Sequence, residues 1–338
     1  MIRRVIMTNR ERVIAAIRHE SVDRVPYFVR FTSAMLEKMV DYTGDADFFA
    51  HMGNAYEMIS LKIEPVPEGR PFHVIDEYGT IWNRTEDRDI GAPLNCVIPS
   101  VEAIEGYQAA VVDEAHLRER CETLLKLAAG ERFSAVHGSS PLFERAWMLC
   151  GMQDFFCYLY SDPELVHRLM RKLCDREHRR LNIVLQYPID CVFYTDDYGQ
   201  QNSLMISPEA WREFVKPYLA ELFDHIKGAG KYVELHSCGD NRLIMDDLID
   251  MGLDIYNTFQ PEIYTLDYAK ILAGRLAVRG AVSTQRDLPR CEPAEIREIV
   301  RATKTAFQNR GLIIGPTHDV PPDVPPENIL AMLDEMAR

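Results

Sequence analysis

The stretch Lys231–Asp240, KYVELHSCGD, ends an apolar-rich run with His236 and Cys238 two residues apart. Imidazole and thiolate both bind zinc-class cations, and a catalytic zinc takes three protein ligands and keeps a fourth position open. His318, in GPTHD, is the candidate third ligand. Zinc on His236, Cys238 and His318 would polarise an oxygen or sulfur of the substrate, making it a nucleophile or a leaving group. Each residue alone has a plainer reading. HxC is a short, common pattern that also describes a structural histidine beside a buried thiol. His318 also reads as a hydrogen-bonded loop residue, or as a general acid with no metal present.

Asp196 and Asp197 close the run DCVFYTDD. Adjacent side chains at a strand end point in different directions, so one of the two faces a site. Its role is general acid or base, with a pKa tuned by burial, or anchor of a substrate hydroxyl. Helix capping or a salt bridge is the alternative for either. Arg30 can grip a substrate carboxylate through two hydrogen bonds, or stand as a solvated rim arginine. Glu144, Tyr198, Asn257, Gln260 and Gln285 complete the candidate substrate-binding residues.

These residues converge only if strands carry them. Eight segments read as strands: PYFVRF, EMISLKI, FSAVHG, DCVFYT, KYVELH, LDIYNT, RLAVRG and GLIIGP. The last five alternate with helical stretches, which implies a parallel sheet. Eight strands over 338 residues predict an α/β fold, a (β/α)8 TIM barrel, forming a single domain over residues 1–338. A doubly wound open sheet is the runner-up. FHVIDEYGTIWNR alternates about Tyr78-Gly79 and predicts an inserted β-hairpin near residues 70–100. Barrel active sites lie at the C-terminal strand ends, where five successive strands here deliver polar groups. Residues i and i+2 of a strand share a side, so His236 and Cys238 face one mouth, and His318 lies three strands further round. Thr8 with Glu11 forms a capping-box pattern. Asp162-Pro163 and Ser207-Pro208 each open a helix with proline at its first position.

The net charge of −14 and the absence of any basic block argue against nucleic acid and anionic membranes as partners. No run approaches the ~18 apolar residues of a membrane span, and the charged N-terminus lacks a signal-peptide core. Eight scattered cysteines without a CxxC pair fit a reduced, cytoplasmic chain. Neither GxGxxG nor GxxxxGK[ST] occurs, so nothing here announces a nucleotide site.

Five longer stretches carry a resemblance: NRERVIAAIRHESVDRVP, DEYGTIWNR, TDDYGQQNSLMISPEAWREFVKP, ELHSCGDNRLIMDDLIDMGLDIYNTFQPE and GPTHDVPPDVPPENILAM. Together they resemble the uroporphyrinogen decarboxylase superfamily over nearly the whole chain, which implies a (β/α)8 barrel. One branch removes acetate carboxyls from a porphyrinogen without a cofactor and carries the motif W-x-M-R-Q-A-G-R. Here that stretch is PYFVRFTSAM; Arg30 matches one arginine, and the Gly-Arg is missing. A second branch moves methyl groups between corrinoid proteins and thiols or methoxy compounds. Its thiol-methylating members bind zinc through H-x-C and a later cysteine. His236 and Cys238 match the pair, and His318 stands where the cysteine would be, as in the decarboxylases.

The resemblance is closer to corrinoid-dependent bacterial relatives than to true decarboxylases. It implies a zinc-dependent methyltransferase that demethylates a small methoxy or methylthio compound, or passes a methyl group to a thiol or other acceptor. A separate protein would carry the corrinoid (cobalamin). The alternative it implies is a metal-free carboxy-lyase of a porphyrinogen or smaller acid, with Asp196 or Asp197 and His318 as acid and base. A homodimer is the expected assembly.

Overall fold

The protein's structure, a computed structural model, describes residues 7–109 and 111–338. Its main sheet is parallel and curled in the manner of a TIM barrel. The first strand, β1 (Tyr56–Ser60), is followed by a small excursion of three short strands, β2 (His73–Ile75), β3 (Ile81–Asn83) and β4 (Ala92–Pro93). The parallel series then resumes as β5 (Phe133–His137), β6 (Cys191–Thr195), β7 (Tyr232–His236), β8 (Ile255–Phe259), β9 (Ala277–Val282) and β10 (Leu312–Pro316). Neighbours follow chain order, β1-β5-β6-β7-β8-β9-β10.

Among the described residues the curled sheet has seven regular strands where eight were expected. Pro26–Phe31 lies between the two edges of the sheet but makes only isolated bridges, Tyr27 to Ile314 and Phe31 to Val320. On one side Phe28 N donates to Ile314 O and Ile314 N to Pro26 O; on the other Ala55 N donates to Tyr27 O at 2.9 Å. Two causes keep this segment from a full ladder. Pro26 has no N–H to give. The Asn54 side chain takes the place of a neighbouring strand, accepting from Val29 N and donating to Val29 O, both at 2.9 Å.

The excursion after β1 pairs β2 with β3 and β3 with β4, all antiparallel. Asp76 organises its turn: Oδ1 accepts from Tyr78 N and Thr80 N, and Oδ2 from the Trp82 indole and from Arg145. Burial pushes this carboxyl up, but Arg145 and the converging N–H groups outweigh it and hold Asp76 below its ordinary value. Arg145 and Arg176 also lie over the Tyr78 ring, at 4.0 and 4.3 Å from its centre. The small sheet is thereby fastened to the helices Phe143–Cys150 and Pro163–Val184.

The interior side of the strands changes character along its length. Phe28, Tyr56, Phe133, Cys191, Ile255, Ala277 and Ile313 form an apolar cluster at the N-terminal end. Two or four residues later, on the same side, stand Arg30, His137, Thr195, Asn257 and Arg279, with Glu234 and His236 on β7. Glu234 and Arg279 are deeply buried and form an ion pair, the guanidinium lying 5.2 Å from the centre of the Phe28 ring and 5.0 Å from that of Phe193. Thr8 and Glu11 make the reciprocal capping box of the first helix. Ser207 caps its helix, whereas the Asp162 side chain makes no capping bond. No helix among the described residues is long and apolar enough to cross a membrane.

The buried pair generates a stability prediction. Glu234→Ala strands the Arg279 charge and should cost about 3–5 kcal/mol, whereas Glu234→Gln with Arg279→Met should cost much less. Denaturant midpoints check this; a single variant as stable as the double variant would contradict it.

Candidate functional site

A cavity of about 350 Å³ opens at the C-terminal strand ends. His236, the last residue of β7, reaches into it from a buried backbone. Its Nδ1 lies 2.5 Å from Asn257 Oδ1. The Asn257 amide is oriented by its own nitrogen, which donates to Arg279 O at 3.1 Å. The oxygen facing His236 is an acceptor, so Nδ1 carries the proton and Nε2 presents a lone pair. Burial lowers the pKa of His236 and keeps the ring neutral.

The lone pair faces two further donors. Cys238 Sγ is 3.2 Å and Asp197 Oδ1 3.7 Å from His236 Nε2. Asp197 Oδ1 also accepts from Cys238 N at 2.7 Å. The donor atoms of Asp197, His236 and Cys238 lie within 4.8 Å of one another. Bonds of about 2.0–2.3 Å in a tetrahedron separate ligand atoms by roughly 3.3–3.6 Å, so this trio fits a zinc-class cation. Burial, then the charges of Asp197 and Glu144, push the Cys238 thiol well above its ordinary value; a bound cation reverses that balance. Two glycines let the loops approach. Gly239 has φ +81°, and a Cβ there would meet the Gly199 backbone at 2.3 Å. The β6 and β7 loops thus pack backbone to backbone, which brings Asp197 to Cys238. His318 lines the cavity outside the trio, its ring centre 5.7 Å from that of His236 and edge-on to it.

The paired carboxylates part company. Asp196 is fully buried and accepts from Glu144 N at 2.7 Å, Phe143 N at 3.0 Å and the Tyr198 hydroxyl at 3.0 Å. It caps the Phe143–Cys150 helix, whose own N-cap, Leu142, offers no side-chain bond. Burial pushes Asp196 up to about 7, against the pull of those hydrogen bonds. Asp197 is the member that lines the cavity. Glu144 lines it too, accepting from Ser140 Oγ at 2.7 Å. Burial and the neighbouring Asp197 and Asp196 push Glu144 up to about 8, which makes it a protonated carboxyl near neutrality.

Arg30 and Asn257 also line the cavity, and Arg30 bonds Asp319 at 3.1 Å. Tyr198, Gln260 and Gln285 stand elsewhere. Tyr198 serves Asp196, Gln260 accepts from Gly239 N at 2.7 Å, and Gln285 is exposed on the loop after β9. The cavity adds residues that sequence reasoning passed over: Lys62, Trp82, His137 and Arg279; Arg145, beside Glu144 in the chain, lines it too. Lys62 and His137 follow or end β1 and β5 as His236 ends β7, so the strand-end rule finds them once it is applied to the early strands. A single arginine inside the apolar run RLAVRG is the signal for Arg279. Burial lowers both Lys62 and His137. Lys62 has Glu64 at 3.9 Å, but that carboxylate is held more closely by Arg84, at 2.9 Å.

Residues 98–338 match the family described as uroporphyrinogen decarboxylase (URO-D). The chain is 27% identical over 179 residues to uroporphyrinogen decarboxylase of Thermus thermophilus, covering 51% of this chain and 48% of that protein. With the enzyme of the same name from a Geobacter species it shares 26% over 213 residues, 58% and 57% of the two chains. It spans about half the length of the curated relatives it matches. In backbone shape it resembles a methyltransferase from Methanosarcina mazei, with TM-score 0.71, 17% identity and 98% of each chain covered; at that identity the likeness concerns the fold. Matched over well more than half its length, the chain belongs to the uroporphyrinogen decarboxylase (URO-D) family.

Proposed function

We propose that this protein is a zinc-dependent methyltransferase acting on a small methoxy or methylthio compound or a thiol, with the methyl group exchanged with a corrinoid carried by a separate protein. The observation that supports it most is the trio of Asp197, His236 and Cys238 around one point, with His236 held in the metal-binding tautomer by Asn257. We read the curled sheet as a (β/α)8 barrel with Pro26–Phe31 in the eighth position, and its mouth as the place where the corrinoid protein docks.

Bound by these residues, zinc supplies Lewis-acid polarisation of a substrate oxygen or sulfur. The chain's own groups do the rest. Asn257 keeps the proton on Nδ1 of His236. Glu144 holds a proton near neutrality and can pass it to the oxygen or sulfur that loses its methyl group. His318 faces the same space. Lys62, Arg30 and Arg145 line the cavity, the two arginines paired with Asp319 and Asp76, together with the apolar Phe31, Trp82 and Met148. That lining suits a compact substrate with an apolar body and an acidic group. The volume lies at the low end of the ~300–1,000 Å³ of small-ligand sites, which speaks against a tetrapyrrole bearing eight carboxylate arms. A metal-free carboxy-lyase acting on a smaller acid is the second reading. The names of the curated relatives and the protonated Glu144 favour it.

Metal content separates the two readings. Protein purified without added metal should hold zinc, and His236→Ala and Cys238→Ser should each remove about one equivalent; Asp197→Asn should weaken binding of that ion. Zinc content unchanged in all three variants, measured by inductively coupled plasma mass spectrometry, sinks the proposal.

Glu144 gives a pH prediction for zinc-free protein. Its carboxyl titrates at about 8 when folded, against 4.5 for the free group. The folded chain therefore binds the extra proton between these values, and this group's contribution to stability falls as pH rises across that window. Glu144→Gln should remove the fall, gaining on the order of a few kcal/mol over wild type above about pH 8. Denaturant titrations at several pH values, with parallel curves for the two proteins, would contradict it.

A further inference from the structure

A second set of donors lies on the outer helices, away from the cavity. Cys174 and His178 are four residues apart on the helix Pro163–Val184, so they share a face. Glu221 and His225 have the same spacing on the helix Lys216–Gly228, which packs against it. The donor atoms of Cys174, His178 and Glu221 lie within 4.8 Å of one another. His178 Nε2 is 3.8 Å from Glu221 Oε2, and Cys174 Sγ is 3.9 Å from the same oxygen. Behind them the Nδ1 atoms of His178 and His225 are 2.9 Å apart. One hydrogen fits between two such nitrogens. With His178 as donor, its Nε2 carries the lone pair on the side of Glu221.

The arrangement repeats the one at the strand ends. Each place has a cysteine, a carboxylate and a histidine whose Nδ1 is engaged from behind while Nε2 faces the other donors. We propose that Cys174, His178 and Glu221 form a second site for a divalent zinc-class cation, joining these two helices on the outside of the sheet.

Arg171 is the competitor. It donates to both oxygens of Glu221 at 2.7 Å and lies over the Tyr218 ring. A cation takes Oε2, and Arg171 keeps Oε1. Cys174 Sγ has Tyr218 O at 3.6 Å besides Glu221, a weak partner that a metal bond replaces. The Cys174 thiol is fully buried and the His178 side chain 27% exposed, so an ion enters from the solvent side past the histidine.

The test uses the full chain with His236→Ala and Cys238→Ser, which removes the donors at the strand ends. Zinc alone is added, excess is removed by gel filtration, and bound metal and the unfolding temperature are measured. About one equivalent of zinc should remain and the unfolding temperature should exceed that of the chelated protein. Adding His178→Ala, or separately Glu221→Gln, should lower the retained zinc at least tenfold and abolish the zinc-dependent shift, with the chelated unfolding temperature little changed. Retention of zinc by both triple variants overturns the site, as does its absence from the double variant. The outcome is independent of the strand-end centre: wild type holding one zinc that His178→Ala leaves in place would reject the second site and leave the first standing.

Discussion

Asp196 never touches the cavity, yet the cavity's acidic side depends on it. The helix Phe143–Cys150 begins without a capping side chain of its own, which leaves backbone N–H groups in need of acceptors. Asp196 takes two of them from the end of β6, and the Tyr198 hydroxyl braces the same carboxylate. Negative charge is favoured at a helix N-terminus. Through this contact the start of the helix is held against the end of a strand, so Glu144, donor of one of those N–H groups, stands beside Asp197. Burial first, and then the nearby charge of Asp197, keeps the proton on Glu144.

The same logic runs through the interior of the sheet. Strand alternation gives each strand one inward row, and the row begins apolar and ends polar. Charge buried in such a row must be matched, and Glu234 with Arg279 does so, the arginine itself lining the cavity. Level with Arg279, Asn257 spans two neighbours, receiving His236 and donating to the Arg279 backbone. One asparagine therefore links the buried pair's strand to the imidazole that faces Cys238 and Asp197.

Much of this is legible in the chain. Hydrophobic runs and helix caps mark the seven strands, and the rule that strand ends carry the chemistry points at His236, Cys238, Asp197 and His318. Four things are not legible. Pro26–Phe31 looks like a strand because its composition is that of one; nothing in it tells that Asn54 will supply its partner bonds. Which of two adjacent aspartates faces inward depends on the path of the loop after β6, and that path rests on Gly199 meeting Gly239 across forty residues of chain. The grouping of Asp197 with the HxC pair follows from the same loop contact. Likewise each i, i+4 pair on the outer helices is visible alone, but not that the two pairs face each other.

The proposed centre is one cation held by one sulfur and by nitrogen and oxygen from the strand ends. X-ray absorption at the zinc edge of the His178→Ala protein, which keeps only those donors, tests it most directly. One sulfur at about 2.3 Å is expected, with the remaining scatterers nitrogen or oxygen at about 2.0–2.2 Å. A zinc environment without sulfur, or a fully folded and active protein with no zinc to measure, would contradict it.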